Sequence, residues 1–199
     1  MRFNLIVAVC RDNGMGFKGQ LPWHIPQDLQ YFSNLTKGDG NNAVIMGHKT
    51  WQSLPIPKGK PRGLPQRDNF ILSRSDSFDM LLNHDRLSKT FKSIAELEMF
   101  IEKTNLYEEV WVIGGAEIYK QFLEQGKIQK CYITRIDADF ECDTFFPELD
   151  MKAWHEIERI DNYEPIYDCP LIYSVYERKA WAPQSMSTAK PRGHNTDCR

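Results

Sequence analysis

The chain has 199 residues, 41% hydrophobic and 12% aromatic, enough for one domain with a substantial core. Twenty-five Lys and Arg against 27 Asp and Glu leave a net charge of -2, which argues against a general nucleic-acid binder but leaves room for one small anionic ligand held by local charge. The five cysteines are scattered without a CxxC pair and the five histidines form no HExxH spacing, a pattern that favours reduced thiols over a disulfide framework or a metal site.

Residues 3–9 form a continuous apolar, β-branched run, the mark of a strand buried on both faces. The run is too short for a signal peptide and stops at Arg11 and Asp12. No segment reaches the roughly 20 apolar residues of a membrane span, so a soluble, cytoplasmic protein without a membrane partner is expected. Gly14-Met15-Gly16-Phe17-Lys18-Gly19 then matches GxGxxG. A dinucleotide fold would need a helix to start inside those glycines, and Pro22 and Pro26 forbid it. The segment reads instead as a flexible glycine loop able to close over a ligand, with Leu21 and Trp23 just behind it.

Apolar positions recur at helical spacing over 26–37, with Phe32 and Leu35 four and seven residues after Asp28. Asp28 therefore shares the stripe that faces the core. A carboxylate there must find a partner, shift its pKa or bind something cationic, which makes it the first candidate for chemistry.

Further strands are expected at 42–46, 69–72, 109–113 and 130–136, and helices at 48–54, 93–103 and 115–125. Ser93 and Glu96 form a capping box at the start of the third helix. Strands alternating with helices predict an α/β fold with a mainly parallel sheet. Residues 153–160 and 171–178 read as an antiparallel hairpin on its edge. From 180 to 199 the chain is rich in Ser, Thr, Pro and Gly without periodicity, and is expected to be a disordered tail beyond a domain of residues 1–179.

Candidate ligand contacts sit where strands meet helices. Ile113-Gly114-Gly115-Ala116 carries a strand through two glycines into a helix, whose first N–H groups can bind phosphate. Tight packing alone also explains such a pair, but the carboxyl end of a strand is where open α/β sheets bind ligands. Gly47-His48-Lys49-Thr50 begins a second helix, Ser73-Arg74-Ser75 ends a strand, and Lys92 precedes the next helix. Together they point to a phosphorylated cofactor with an additional phosphate. Arg67 stands apart, and its residue type fits equally a bidentate carboxylate clamp and a surface ion pair.

With these residues in order, the chain resembles the dihydrofolate reductase family over roughly 3–178. The resemblance rests on IVAV at 6–9, LPW at 21–23, Asp28, MGHKTW at 46–51, LPQR at 64–67 and LSR at 72–74. It continues through VIGGAEIY at 112–119, TRI at 134–136 and DTFFP at 143–147. It implies a single-domain α/β reductase that transfers a hydride from NADPH to C6 of 7,8-dihydrofolate and protonates N5. The product, tetrahydrofolate, feeds one-carbon metabolism. It implies further that folate and antifolates such as methotrexate bind the same pocket, and that the protein is a monomer without a DNA partner or metal.

Residue by residue, the resemblance gives Asp28 the pterin ring and Thr134 its support. Ile6, Val7, Ala8 and Ile113 take the pterin pocket, and Leu29, Phe32, Ser53 and Leu54 the walls, with Gln30, Tyr31, Ser33 and Leu64 beside them. Arg67 becomes the clamp on the glutamate α-carboxylate. Gly14, Met15, Gly16, Phe17, Lys18, Gly19 and Gln20 become the mobile loop over the nicotinamide, which Ala8 also touches, and Leu21 and Trp23 exclude water. Gly114, Gly115, Ala116, Glu117, Ile118, Tyr119, Lys120 and Gln121 cradle the pyrophosphate, with Tyr119 also among the catalytic residues. Gly47, His48, Lys49, Thr50, Ser73, Arg74, Ser75 and Lys92 contact the cofactor's phosphates and adenine side.

The chain departs from the pattern in places. Some members carry a glutamate one residue beyond the position of Asp28. Leu29 stands where others have phenylalanine, which bears on inhibitor preference. His48 replaces the more usual arginine or lysine, which ties part of the phosphate grip to pH. Two rival readings are a same-fold reductase of a riboflavin-pathway intermediate and a catalytically silent folate- or RNA-binding protein. Asp28 with Arg67 speaks against the first, and an intact Asp28, Thr134 and glycine pair with near-neutral charge against the second.

Overall fold

The first strand, β1 (Phe3–Val9), lies near the middle of a nine-stranded sheet in the computed structural model, which describes residues 2–56, 58, 62–74, 81–83 and 86–179. After it come β2 (Gly14–Gly16), α1 (Pro26–Lys37), β3 (Ala43–Gly47), α2 (His48–Ser53), β4 (Asp68–Leu72), β5 (Leu81–Asn83) and β6 (Arg86–Phe91). The second half runs α3 (Ile94–Thr104), β7 (Val110–Val112), α4 (Ala116–Glu124), β8 (Ile128–Ile136), β9 (Thr144–Phe145), β10 (Trp154–Glu164) and β11 (Cys169–Arg178). The sheet order is β10-β11-β8-β1-β7-β3-β4-β6-β5. β1 pairs in parallel with β7 and β8, and β3 with β7 and β4. Pairing becomes antiparallel only toward the two edges, at β8–β11–β10 and at β5–β6. The expected α/β class and edge hairpin are both present.

β1 shows why its sequence is apolar at every position but Asn4, whose side chain donates to Glu109 at 3.1 Å at the surface. Phe3, Leu5, Val7 and Val9 point to one side, where they pack with Leu97 and Ile101 of α3 and Ile118 and Phe122 of α4. Ile6 points to the other, toward Trp51 of α2, with Phe32 and Leu35 of α1 packed alongside. From Leu5 onward the strand lies between two helical layers and has no face left for polar side chains, and each large apolar side chain fully buried there contributes roughly 1.5–3 kcal/mol.

The helix ends follow local rules. Pro26 occupies the first turn of α1, where its missing N–H has no intrahelical partner to lose, and Gly38 at φ 50° ends the helix. The capping box of α3 is formed on both sides. Ser93 accepts from the Glu96 N–H at 3.1 Å, and the Glu96 carboxylate accepts from the Lys92 N–H at 2.8 Å.

Three differences from the sequence reading concern strands. The hairpin is longer than 153–160 and 171–178, because β10 runs on through Asp161 and Asn162 to Glu164. β6 was not expected, since Ser88 and Thr90, its inward residues, are polar yet buried. The glycine loop, expected to be a flexible connection without strands, is tied at its root by antiparallel pairing of β2 with β9. Asp143 N–H donates to the Gly16 carbonyl at 2.9 Å and Phe146 N–H to that of Asn13 at 2.8 Å. Ser75 and the stretch 180–199, with the tail expected there, lie outside the described residues.

Candidate active site

A cleft of about 2190 Å³ opens along the carboxyl ends of β1, β3 and β4, between α1 on one side and the starts of α2, α3 and α4 on the other. Its inner end is built by Ile6, Val7 and Ala8 of β1, Ile113 after β7 and Thr134 of β8. α1 presents Asp28, Leu29, Phe32 and Ser33, and the α2 side adds Ser53, Leu54 and Leu64.

Asp28 is 7% exposed in the first turn of α1, and Thr134, 1% exposed on β8, hydrogen-bonds its carboxylate. Burial pushes the Asp28 carboxyl above the usual carboxylate range, and the Thr134 bond pulls partly back. Close by, the rings of Tyr31 and Tyr173 meet at 47° with centroids 4.4 Å apart. Burial holds both phenols up at about 12, with the nearby Asp28 charge adding to the push, so both stay protonated.

Arg67 is 1% exposed. Its Nε donates to the Pro65 carbonyl at 2.9 Å and its Nη1 to the Thr36 hydroxyl, and the guanidinium carbon lies 6.0 Å from the centre of the Phe32 ring. Burial lowers its pKa to about 10. The surface ion pair that the sequence left open is thereby excluded, because this cation faces the cleft with no acid beside it among the described residues. Lys37, one turn beyond Ser33, lines the same end.

Across the cleft the Gly114–Gly115 pair, joined by a cis peptide, leads into α4. Gly114 has φ 117°, which an L side chain resists, and its carbonyl accepts from Gly47 N–H at 2.8 Å. A Cβ on Gly115 would stand 3.3 Å from the Thr50 hydroxyl. Ala116, Glu117, Ile118, Tyr119 and Gln121 line this side. The Tyr119 hydroxyl donates to the Ile6 carbonyl at 2.8 Å, pinning α4 to β1. The outer rim carries His48, Lys49 and Thr50 at the start of α2, Ser73 and Arg74 after β4, and Lys92 before α3.

Met15, Gly16, Gly19, Gln20 and Leu21 border the cleft mouth, with Trp23 buried behind them at 5% exposure. Trp23 packs on Phe140 at 5.2 Å and Phe140 on Tyr167 at 5.1 Å, whose hydroxyl accepts from the His24 N–H at 3.0 Å.

Several expected residues fall outside the cleft. Gln30 is exposed and bonds Asn34 at 2.6 Å, while Tyr31 turns toward Tyr173. Lys120 leans toward Glu124 at 4.0 Å. Gly14 is buried at the loop root, and Lys18 lies over the ring of Phe17 at 4.6 Å. The sequence reading missed Lys37, whose spacing of four from Ser33 was an available signal, and Asp143 and Thr144. Asp143 accepts from the Lys18 N–H at 2.8 Å, which draws its carboxyl below the usual range. It also missed Gln125 and the helix start Ser93-Ile94-Ala95.

A family model described as dihydrofolate reductase matches residues 2–178. The chain belongs to that family. It is 38% identical over 156 residues to the dihydrofolate reductase of Aedes albopictus, covering 74% of this chain and 80% of that one. To that of Drosophila melanogaster it is 39% identical over 156 residues, covering 75% and 81%. To that of Haemophilus influenzae it is 38% identical over 179 residues, covering 86% and 97%. Family membership carries with it a folate-type substrate and a nicotinamide cofactor.

Proposed function

We propose that this family member reduces 7,8-dihydrofolate to 5,6,7,8-tetrahydrofolate with NADPH. The observation that carries the reading is one buried carboxylate, Asp28, hydrogen-bonded to Thr134 at the inner end of a cleft whose opposite wall is a side-chain-free glycine pair. The wall fits a dinucleotide: Gly47 and Gly115 hold open the ground between α2 and α4 that Cβ atoms would narrow. The first-turn N–H groups of α4 face a cleft rimmed by Lys49, Arg74 and Lys92, as a phosphorylated ligand requires. The bound cofactor supplies the hydride.

The chain's own residues do the rest. Asp28 pairs with the amidine edge of the pterin, holding its tautomer and raising the basicity of N5, with Thr134 donating to the carboxylate. A water admitted past Leu21 protonates N5, because Asp28 is placed to bind the ring edge and not to act as the base on N5 itself. Leu21, Trp23 and the glycine loop shield the reacting face from bulk solvent. Arg67, already desolvated, clamps the glutamate α-carboxylate, with Lys37 nearby.

The same reading makes the protein a cytosolic monomer whose partner is a small molecule, with its catalytic domain in residues 1–179. In support, no helix among the described residues is long and apolar enough to cross a membrane, and the net charge is -2.

The decisive assay follows NADPH oxidation with dihydrofolate and, separately, with a flavin-pathway precursor. Turnover confined to dihydrofolate is expected. Turnover of the flavin precursor alone, or of neither, overturns the reading.

A further inference from the structure

Beneath the root of the glycine loop, outside the lining of the cleft, two thiols face each other. Cys10 follows β1 and is 5% exposed, while Cys142, just before Asp143 and β9, is half-buried. Their Sγ atoms lie 3.7 Å apart, although 132 residues separate them in the chain. The contact exists because residue 14 is glycine. A Cβ there would meet the Cys142 Sγ at 2.6 Å and the Cys10 Sγ at 2.8 Å, so any side chain would occupy the space that the sulfurs share. Cys131 and Cys169 are also buried but meet no second thiol among the described residues.

We propose that Cys142 is a modification site for small disulfides of the glutathione type, and that Cys10 resolves the adduct into a Cys10–Cys142 cross-link. Cys142 is the less buried residue of the pair, so it is the one an outside reagent reaches first. Cys142 loses its proton to water, and its thiolate attacks one sulfur of oxidised glutathione. That S–S bond breaks, and the first glutathione leaves as a thiolate and takes up a proton. Cys10 then gives up its own proton, attacks the Cys142 Sγ and expels the second glutathione. The two protein sulfurs together lose two electrons, and one oxidised glutathione becomes two reduced ones.

The order of attack agrees with the surroundings of the two thiols. Burial, with the hydrogen bond and the charge of Cys142 adding to it, pushes the Cys10 thiol up to about 11, so Cys10 is a poor first nucleophile. Once Cys142 carries glutathione, both contributions from its own thiol are gone. The sulfurs then close from 3.7 Å to a bond of about 2.0 Å.

The consequence falls on the loop. Cys10 N–H donates to the Gly14 carbonyl at 2.8 Å, and Asp143, next to Cys142, holds Gly16 and Lys18 at 2.9 and 2.8 Å. A covalent link between these anchors fastens the base of the loop from both sides and slows any turnover limited by its opening.

The test treats the full-length protein with oxidised glutathione, blocks the remaining thiols and maps peptides by mass. The parent is expected to lose two thiols as a Cys10–Cys142 link that dithiothreitol reverses. Cys10→Ser should stop at the glutathione adduct on Cys142, and Cys142→Ser should acquire neither adduct nor link at these two positions. The proposal is overturned by a link through Cys131, Cys169 or Cys198, by modification of Cys10 in Cys142→Ser, or by a parent whose pair reacts only after denaturant is added. Peptide mapping of the parent decides even if a variant fails to fold. A second arm, which rests on the reductase reading, measures turnover: a several-fold fall on oxidation is expected in the parent and none in Cys142→Ser. A formed link with unchanged turnover overturns the effect on the loop, whereas absence of turnover in the reduced parent indicts the reductase reading and leaves the thiol chemistry standing.

Discussion

On the α1 side of the cleft two charges are buried, Asp28 at 7% and Arg67 at 1% exposure, whereas across it Lys49, Arg74 and Lys92 stand in water. The difference is one of partners. Burial drives the Asp28 carboxyl up and the Arg67 guanidinium down, and neither has an opposite charge beside it among the described residues. A charge kept in such a place costs stability until a ligand pairs with it. The exposed rim bears little of that cost, and each of its contacts is screened by salt. One side therefore selects by shape and protonation, and the other attracts by charge.

The largest expected effect tests the buried side. Asp28→Asn should lower turnover by a factor on the order of 10² or more while leaving cofactor affinity nearly unchanged. Its residual rate should recover toward acid pH, where N5 arrives already protonated. Stability should move the other way. Because the folded-state pKa of Asp28 is raised, the parent loses stability as pH rises from the ordinary carboxylate range through that raised value. The asparagine variant escapes this loss, so it should melt above the parent at neutral pH, with the gap narrowing on acidification. Parental turnover in Asp28→Asn, or a melting gap that widens in acid, would undo the assignment.

Arg67→Leu comes next. Losing a charge-assisted pair of roughly 1.5–3 kcal/mol should raise the KM for dihydrofolate by about one to two decades and spare a pterin without the glutamate tail. Equal losses with both substrates would make Arg67 a scaffold residue. On the rim, Arg74→Ala should weaken NADPH by about one to two decades by the same arithmetic and leave NADH nearly unmoved. Matched losses of the two cofactors would refute a phosphate contact.

Salt gives the smallest and sharpest contrast. Raising ionic strength from about 0.1 to about 1 M shortens the Debye length from ~10 to ~3 Å, so NADPH affinity should fall several-fold while the dihydrofolate KM moves less. Equal sensitivity of the two ligands would erase the distinction between the sides.

Much of this cleft was legible in the sequence because its parts sit where patterns change. β1, β3 and β4 announce themselves by largely apolar runs, β8 by apolar residues interleaved with polar ones, and Asp28 as one acid on an apolar helical stripe. Gly114 and Gly115 stand out between a strand and a helix. What escaped is what tertiary contact decides. β6 hides its inward face behind Ser88 and Thr90, so its alternation does not read as apolar. β2 and β9 are too short to show a period and exist only through each other. The resemblance puts Tyr31 beside the substrate walls, but one step around the helix from Phe32 its ring turns to Tyr173. The pairing of Cys10 with Cys142 depends on a turn and a glycine that no spacing announces.

The position of β1 has a consequence for how the chain is made. It leaves the ribosome ahead of every strand it pairs with: Asn4 pairs with Trp111 and Phe3 with Ile128. At about 5–20 residues per second, the 125 residues between Phe3 and Ile128 take roughly 6–25 s to synthesise. Throughout that interval a largely apolar strand is exposed without its neighbours, a natural client for a chaperone. The nascent chain is therefore most prone to aggregate before β7 and β8 emerge, and ribosomes stalled ahead of residue 110 should carry chains more readily bound by a trigger-type holdase than those stalled beyond 136.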